Sequence, residues 1–126
     1  MIKKLAISAI VLASSFLTAS EVNVYSHRHY DSDKILFKKF EETTGIKVNI
    51  VTAKAEELVS KLAIEGENTP ADVLITADIG NLHEAKSRNL LQTIDSNTLN
   101  TNIPAHLRDA NKEWFALTKR ARIFVY

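Results

Sequence analysis

Apolar runs of strand length, set between amphipathic stretches of helix length, constrain this chain more than anything else in it. Val22 and Val24 alternate with polar residues, as do Ile46, Val48 and Ile50, which is the period of strands with one buried face. Between them Asp33 to Thr44 reads as a helix. Asp31 or Ser32 can cap it, Leu36, Phe37 and Phe40 form its apolar side, and Gly45 stands where a left-handed C-terminal cap is wanted. Ala55 to Glu65 repeats the plan with Leu58, Val59, Leu62 and Ala63 on one stripe and Gly66 after it. Val73-Leu74-Ile75 is apolar without alternation, as a strand buried on both faces would be. A weaker helix follows from Asn81 to about Arg88, with Ile79, Leu82 and Ala85 inward. Strand and helix in alternation predict crossover units on a mainly parallel sheet flanked by helices, so the fold class is α/β. From Leu90 to Asn111 the pattern dissolves around Pro104, with one short helical turn expected near Ala105 to Ala110. Trp114 to Leu117 and Ile123 to Tyr126 read as two further strands.

The first twenty residues are a separate matter. Lys3 and Lys4, the apolar run Leu5 to Leu17 and the small residues Thr18-Ala19-Ser20 have the layout of a cleaved secretory leader. The run is shorter than the roughly 20 residues that span a bilayer. The whole chain has 16 basic and 15 acidic residues; taking away Lys3 and Lys4 leaves 14 against 15. That balance gives no nucleic-acid footprint. Zero cysteines exclude disulfides and thiolate metal sites, so an ordinary apolar core must hold an exported domain of about a hundred residues. The chain stops inside the apolar run Ile123 to Tyr126, which reads as a fragment of a longer protein.

Chemistry concentrates in the turn after the first strand, Tyr25-Ser26-His27-Arg28-His29-Tyr30. The carboxyl ends of strands are where open α/β sheets present ligand groups. His27 and His29 could be metal ligands, or two surface histidines of a loop. Tyr30 narrows the choice of metal: a phenol, with a pKa of about 10, yields its proton only to a strong, hard Lewis acid, and ferric iron is one. Tyr25, following Val24 in strand register, is better read as packing. Arg28 either pairs with Asp31 or Asp33 or holds an anion. Arg120 and Arg122 read as a solvated face, and His83 and His106 as isolated. With three glycines, no phosphate cradle is expected, and no nucleophile and base stand at useful spacing. Two other readings remain open beside ferric iron: an oxyanion held by Ser26, Thr76 and Arg28, and a metal-dependent hydrolase using His27 and His29.

Val22 to Tyr30, Phe40 to Val48 and Pro70 to Thr76 together resemble the bacterial periplasmic ferric-iron-binding proteins, the solute-binding subunits of iron(III) ABC importers. The resemblance covers essentially all of residues 21–126, and its first segment is specific to the tyrosine-rich branch. It implies a type II periplasmic-binding fold, of which residues 21–126 would be most of the first lobe, truncated before the second. It implies Fe(III) in the cleft between lobes, with a synergistic anion left open. The family's early histidine aligns with His29, and in the tyrosine-rich branch the next residue, here Tyr30, is also a ligand. The glutamate of the other branch falls where this chain has Ala77. The remaining ligands would be tyrosines of the second lobe. A periplasmic monomer serving an inner-membrane ABC permease, and no enzyme, is what the resemblance implies.

Overall fold

The computed structural model of the chain describes residues 20–119. The expected leader, Arg120, Arg122 and the expected strand Ile123 to Tyr126 lie outside the described residues. Three strands, β1 (Glu21–Ser26), β2 (Lys47–Thr52) and β3 (Val73–Ile75), form one sheet in the order β2-β1-β3, with both pairings parallel. Val24 lies opposite Ile50 and Val73, and Tyr25 opposite Val51 and Leu74. The connections are helical: α1 (Asp31–Thr44) between β1 and β2, and α2 (Ala55–Glu65) between β2 and β3. Past β3 come α3 (Ile79–Ser87) and α4 (Asn97–Asn102).

The core sits between β1 and α2. Tyr25, Leu58 and Leu62 are buried together, with Ala53, Ala71, Leu74 and Leu90 packed on them. The i, i+4 spacing of Leu58 and Leu62 puts both on one helical face, and Leu58 and Val59 have lost all contact with water. Burying a Leu or Val side chain fully is worth about 1.5–3 kcal/mol. Tyr25 takes its hydroxyl into this core by donating to the Glu65 carboxylate at 3.0 Å, and Thr69 donates to the same group at 2.8 Å. The expectation that Tyr25 is a packing residue stands.

Several sequence expectations shift. Helix α1 begins at Asp31 and is capped by neither Asp31 nor Ser32: Tyr30 occupies the cap position, and no side chain completes it. Asp31 turns to Lys34 at 2.9 Å instead. No residue of α1 is buried, and Ala63 of α2 also faces water. Strand β3 is not buried on both faces, since Val73 is 42% exposed; it is an edge strand among the described residues, with β1 on one side only. Edge position explains β2 as well. Its Ile50 is 43% exposed, and its Val48 N–H donates to the Glu41 carboxylate of α1 at 2.7 Å, on the side where no further strand stands among the described residues. Helix α3 starts at Ile79, which is exposed, because the Asp78 side chain accepts from the Asn81 N–H at 3.3 Å and sets the first turn there.

Helix α4 lies in the stretch expected to be irregular, and Ser96 caps it by accepting from the Leu99 N–H at 3.4 Å. Trp114 to Leu117 does not extend into a strand; it makes one antiparallel bridge, Arg108 to Phe115, flanked by two backbone hydrogen bonds. Gly45 does take the left-handed conformation, φ +72°, and its N–H closes α1 onto the Glu41 carbonyl at 2.8 Å. No helix among the described residues is long and apolar enough to cross a membrane.

Candidate functional site

The turn after β1 is built from its backbone outward. Ser26, at the strand end, is buried; its hydroxyl accepts from the Arg28 N–H at 3.1 Å and donates to the Arg28 carbonyl at 2.9 Å. A single side chain thus holds both backbone groups of Arg28, as short hydroxyl residues do in tight turns. The next residue binds across the sheet: the His27 N–H donates to the Ile75 carbonyl at 2.9 Å. The turn is therefore pinned at the carboxyl ends of two parallel strands. It then enters α1, whose first turn closes with the Asp33 N–H on the Tyr30 carbonyl at 3.0 Å.

Of the two carboxylates open to Arg28, the structure selects Asp33. Nε donates to Oδ2 and Nη2 to Oδ1, both at 2.9 Å, a two-point fork that Arg alone can offer a carboxylate. These hydrogen bonds hold the Asp33 carboxyl below its usual range, against the opposing pull of burial. The same bonds raise Arg28, and the neighbouring Tyr30 adds to that rise. The guanidinium carbon lies 5.1 Å from the centre of the Tyr30 ring, within cation–π range.

His29 and Tyr30 both emerge into solvent, Tyr30 with 47% of its surface exposed. Their rings stand 5.5 Å apart and 23° from parallel. An imidazole and a phenol thus neighbour each other on one turn. Tyr30 also forms one wall of a cleft of about 270 Å³, whose other walls are Arg28, Ala77 and Thr118. Ala77 reaches it from the segment after β3 and Thr118 from the segment after the Arg108–Phe115 bridge. Nothing in the sequence marked Thr118, because a lone threonine in a polar connection has no periodicity to read.

The two histidines of the His-x-His pair part company. His27 is half buried, and its Nδ1 is buried without a hydrogen-bond partner, whereas His29 is exposed. Among the described residues, no three His, Asp or Glu side chains gather as a metal-holding group. Two donors of the oxyanion alternative are engaged locally: Ser26 with Arg28, and the Thr76 hydroxyl donating to the Asp78 carbonyl at 2.6 Å. His83 meets the Trp114 ring edge-on at 5.5 Å, and His106 lies in a short 3-10 turn, Ala105–Leu107.

Comparison with known proteins places this geometry in context. The model of the family described as bacterial extracellular solute-binding protein matches residues 27–126. The chain is 46% identical over 106 residues to iron uptake protein A1 of Synechocystis, an alignment covering 84% of this chain and 29% of that protein. Among solved structures it is similar to a ferric binding protein from Campylobacter jejuni, with 59% identity and a TM-score of 0.76 over 77% of this chain and 31% of the other. It is also similar to a Trichodesmium protein solved in complex with iron and citrate, with 46% identity and a TM-score of 0.74 over 76% of this chain and 30% of that one. The chain thus spans less than a third of the length of each of these relatives. At these identities the likeness carries the expected fold class, an open parallel α/β sheet flanked by helices that fits a single lobe of a periplasmic binding protein.

Proposed function

This chain belongs to the bacterial extracellular solute-binding protein family, and from that premise we propose that it forms the first lobe of a periplasmic protein that binds ferric iron and delivers it to an inner-membrane ABC permease. One observation carries the reading: the His29 and Tyr30 rings stand 5.5 Å apart on an exposed turn, and Tyr30 also lines a cleft. Ferric iron is acidic enough to take a phenol as phenolate, and an imidazole beside it adds a nitrogen donor. The relatives lend support, since one is named for iron uptake, one for ferric binding, and one was solved with iron and citrate.

On this reading His29 and Tyr30 are the ligands that residues 21–126 contribute. Tyrosines of a second lobe supply the others, because an imidazole and a phenolate leave most of the coordination sphere of Fe(III) open. Ala77 beside Tyr30 adds no carboxylate, in keeping with ligation by phenolates. A synergistic anion can take coordination sites that these ligands leave open, and the Trichodesmium relative was solved with both iron and citrate. The metal gains its full set of bonds only when the lobes meet, so iron favours the closed form, and opening at the permease releases it. Residues 1–20 act as a cleaved leader, and the protein works as a monomer, carrying iron without transforming it.

Ferric iron added to the full-length protein is expected to give a visible phenolate charge-transfer band. Tyr30→Phe should weaken or shift that band, and His29→Ala should hasten iron loss to citrate. A protein that stays colourless with ferric iron, or a band indifferent to Tyr30→Phe, would refute the assignment.

A further inference from the structure

Tyr30 is an exposed side chain at a helix cap, where a ring ordinarily exchanges among rotamers. Here its neighbour Arg28 is held from two sides. Ser26 holds both backbone groups of Arg28, and Asp33, in the first turn of α1, holds the guanidinium by two hydrogen bonds. The side chains of Arg28 and Asp33 are only 22% and 17% exposed. Between these anchors in the chain lies Tyr30, with the guanidinium 5.1 Å from its ring centre.

We propose that Arg28, held by Asp33, is a positioning residue that sets the orientation of the Tyr30 ring at the cleft before any metal arrives. The proposal rests on Tyr30 being an iron ligand, and it adds a reason for an arginine at position 28. The planar guanidinium can present its edge to a carboxylate while its carbon lies over an aromatic ring, whereas an ammonium has one point of charge to share between them. An ion pair that merely stapled the turn would need no aromatic partner. Pre-setting the phenol lowers the cost of ordering it on binding, and groups that orient a ligand typically account for about 10–100-fold in metal affinity.

The test uses the full-length protein and four variants: Asp33→Asn, Arg28→Lys, the double variant that combines these two, and Tyr30→Phe. In the iron-free protein, NMR of the Tyr30 ring is expected to report one orientation next to the guanidinium, lost in both Asp33→Asn and Arg28→Lys. With ferric iron, each of those variants should shift the charge-transfer band and weaken binding about tenfold. The double variant should lose no more than either single one, because both break the same contact. If Asp33→Asn and Arg28→Lys lower the melting temperature but leave the Tyr30 resonances and the band as they were, the pair is a staple and the proposal fails while iron ligation stands. If Tyr30→Phe leaves the band untouched, ligation and positioning fall together.

Discussion

Helices α1 and α2 carry the same kind of apolar pattern and meet opposite surroundings. Helix α2 buries Ala55, Leu58, Val59 and Leu62 against β1 and its neighbours. Helix α1 buries no residue fully: Phe37 is half-buried, and Ile35 and Leu36 are 69% and 59% exposed. The difference lies in what each helix meets. The core that takes Leu58 and Leu62 is built on Tyr25 of the central strand β1, whereas α1 lies against the edge strand β2 and is tied to it through Glu41 and Val48. Amphipathic periodicity states which side of a helix seeks cover; it does not say whether that cover is nearby. A helix is stabilised chiefly by packing of its apolar face, so the two should differ in what they contribute.

The largest expected effect tests that difference directly. Leu58→Ala should cost about 2–5 kcal/mol in denaturant unfolding, the range for emptying a fully packed leucine site. Leu36→Ala, at a site already in solvent, should stay within about 0.5 kcal/mol. Equal costs in the 126-residue chain would break the comparison. A Leu36→Ala cost that grows in the full-length protein would show chain outside residues 20–119 covering α1.

The next effect is electrostatic and sharpens the contrast on the side where α3 meets α2. Asp109 is buried and accepts from the Lys86 ammonium at 2.6 and 2.7 Å, and from the Asn111 and Glu113 N–H groups. Glu113 lies 3.0 Å from the same ammonium. The Lys86 hydrogen bond, with the two backbone bonds, holds the Asp109 carboxyl below its usual value, and the Asp109 and Glu113 bonds raise Lys86. A lowered carboxyl contributes stability above its unfolded pKa of about 4, and that stability is lost as pH falls through the lower folded value. A raised amine contributes below about 10.5 and loses its share as pH rises through the higher folded value. Asp109→Asn should therefore destabilise between these limits and flatten the acid limb of the stability curve. Asp31→Asn on α1, where the partner Lys34 is equally in solvent, should leave the curve where it was. Comparable pH profiles for the two variants would count against the contrast.

The smallest effect concerns where α1 ends. Gly45→Ala should cost about 1–2 kcal/mol, because a Cβ in the left-handed region strains the backbone. No neighbour lies within 4 Å of that Cβ to add a clash, so a much larger loss would point to cover at the end of α1 that the described residues do not supply.

Legibility in the sequence followed the range of the interactions involved. Helix α2 runs from Ala55 to Glu65, as its stripe and Gly66 indicate, because 3.6-residue periodicity is written in consecutive positions. Helix α4 escaped notice, since Ser96 is one capping residue in a polar stretch without an apolar stripe. The adjacency of His29 and Tyr30 was legible because they are neighbours in the chain. The pairing of Arg28 with Asp33, in place of Asp31, was not, for both carboxylates lie within reach and only the entry of the chain into α1 chooses between them. Ala77 and Thr118 line the same cleft as Tyr30 although they are far from it in sequence.

What the sequence determined by itself is therefore local: alternation that makes strands, stripes that make helices, the left-handed glycine after α1, and a turn whose residue types suit a hard metal ion. Tertiary structure alone decided which apolar faces found cover, which acid holds Arg28, and what stands across the cleft from Tyr30. The physical reason is that periodicity and capping act between near neighbours in the chain, whereas burial and cleft walls depend on groups that only the assembled parallel sheet brings within contact distance, and the ion-pair choice depends on the direction in which the chain enters α1.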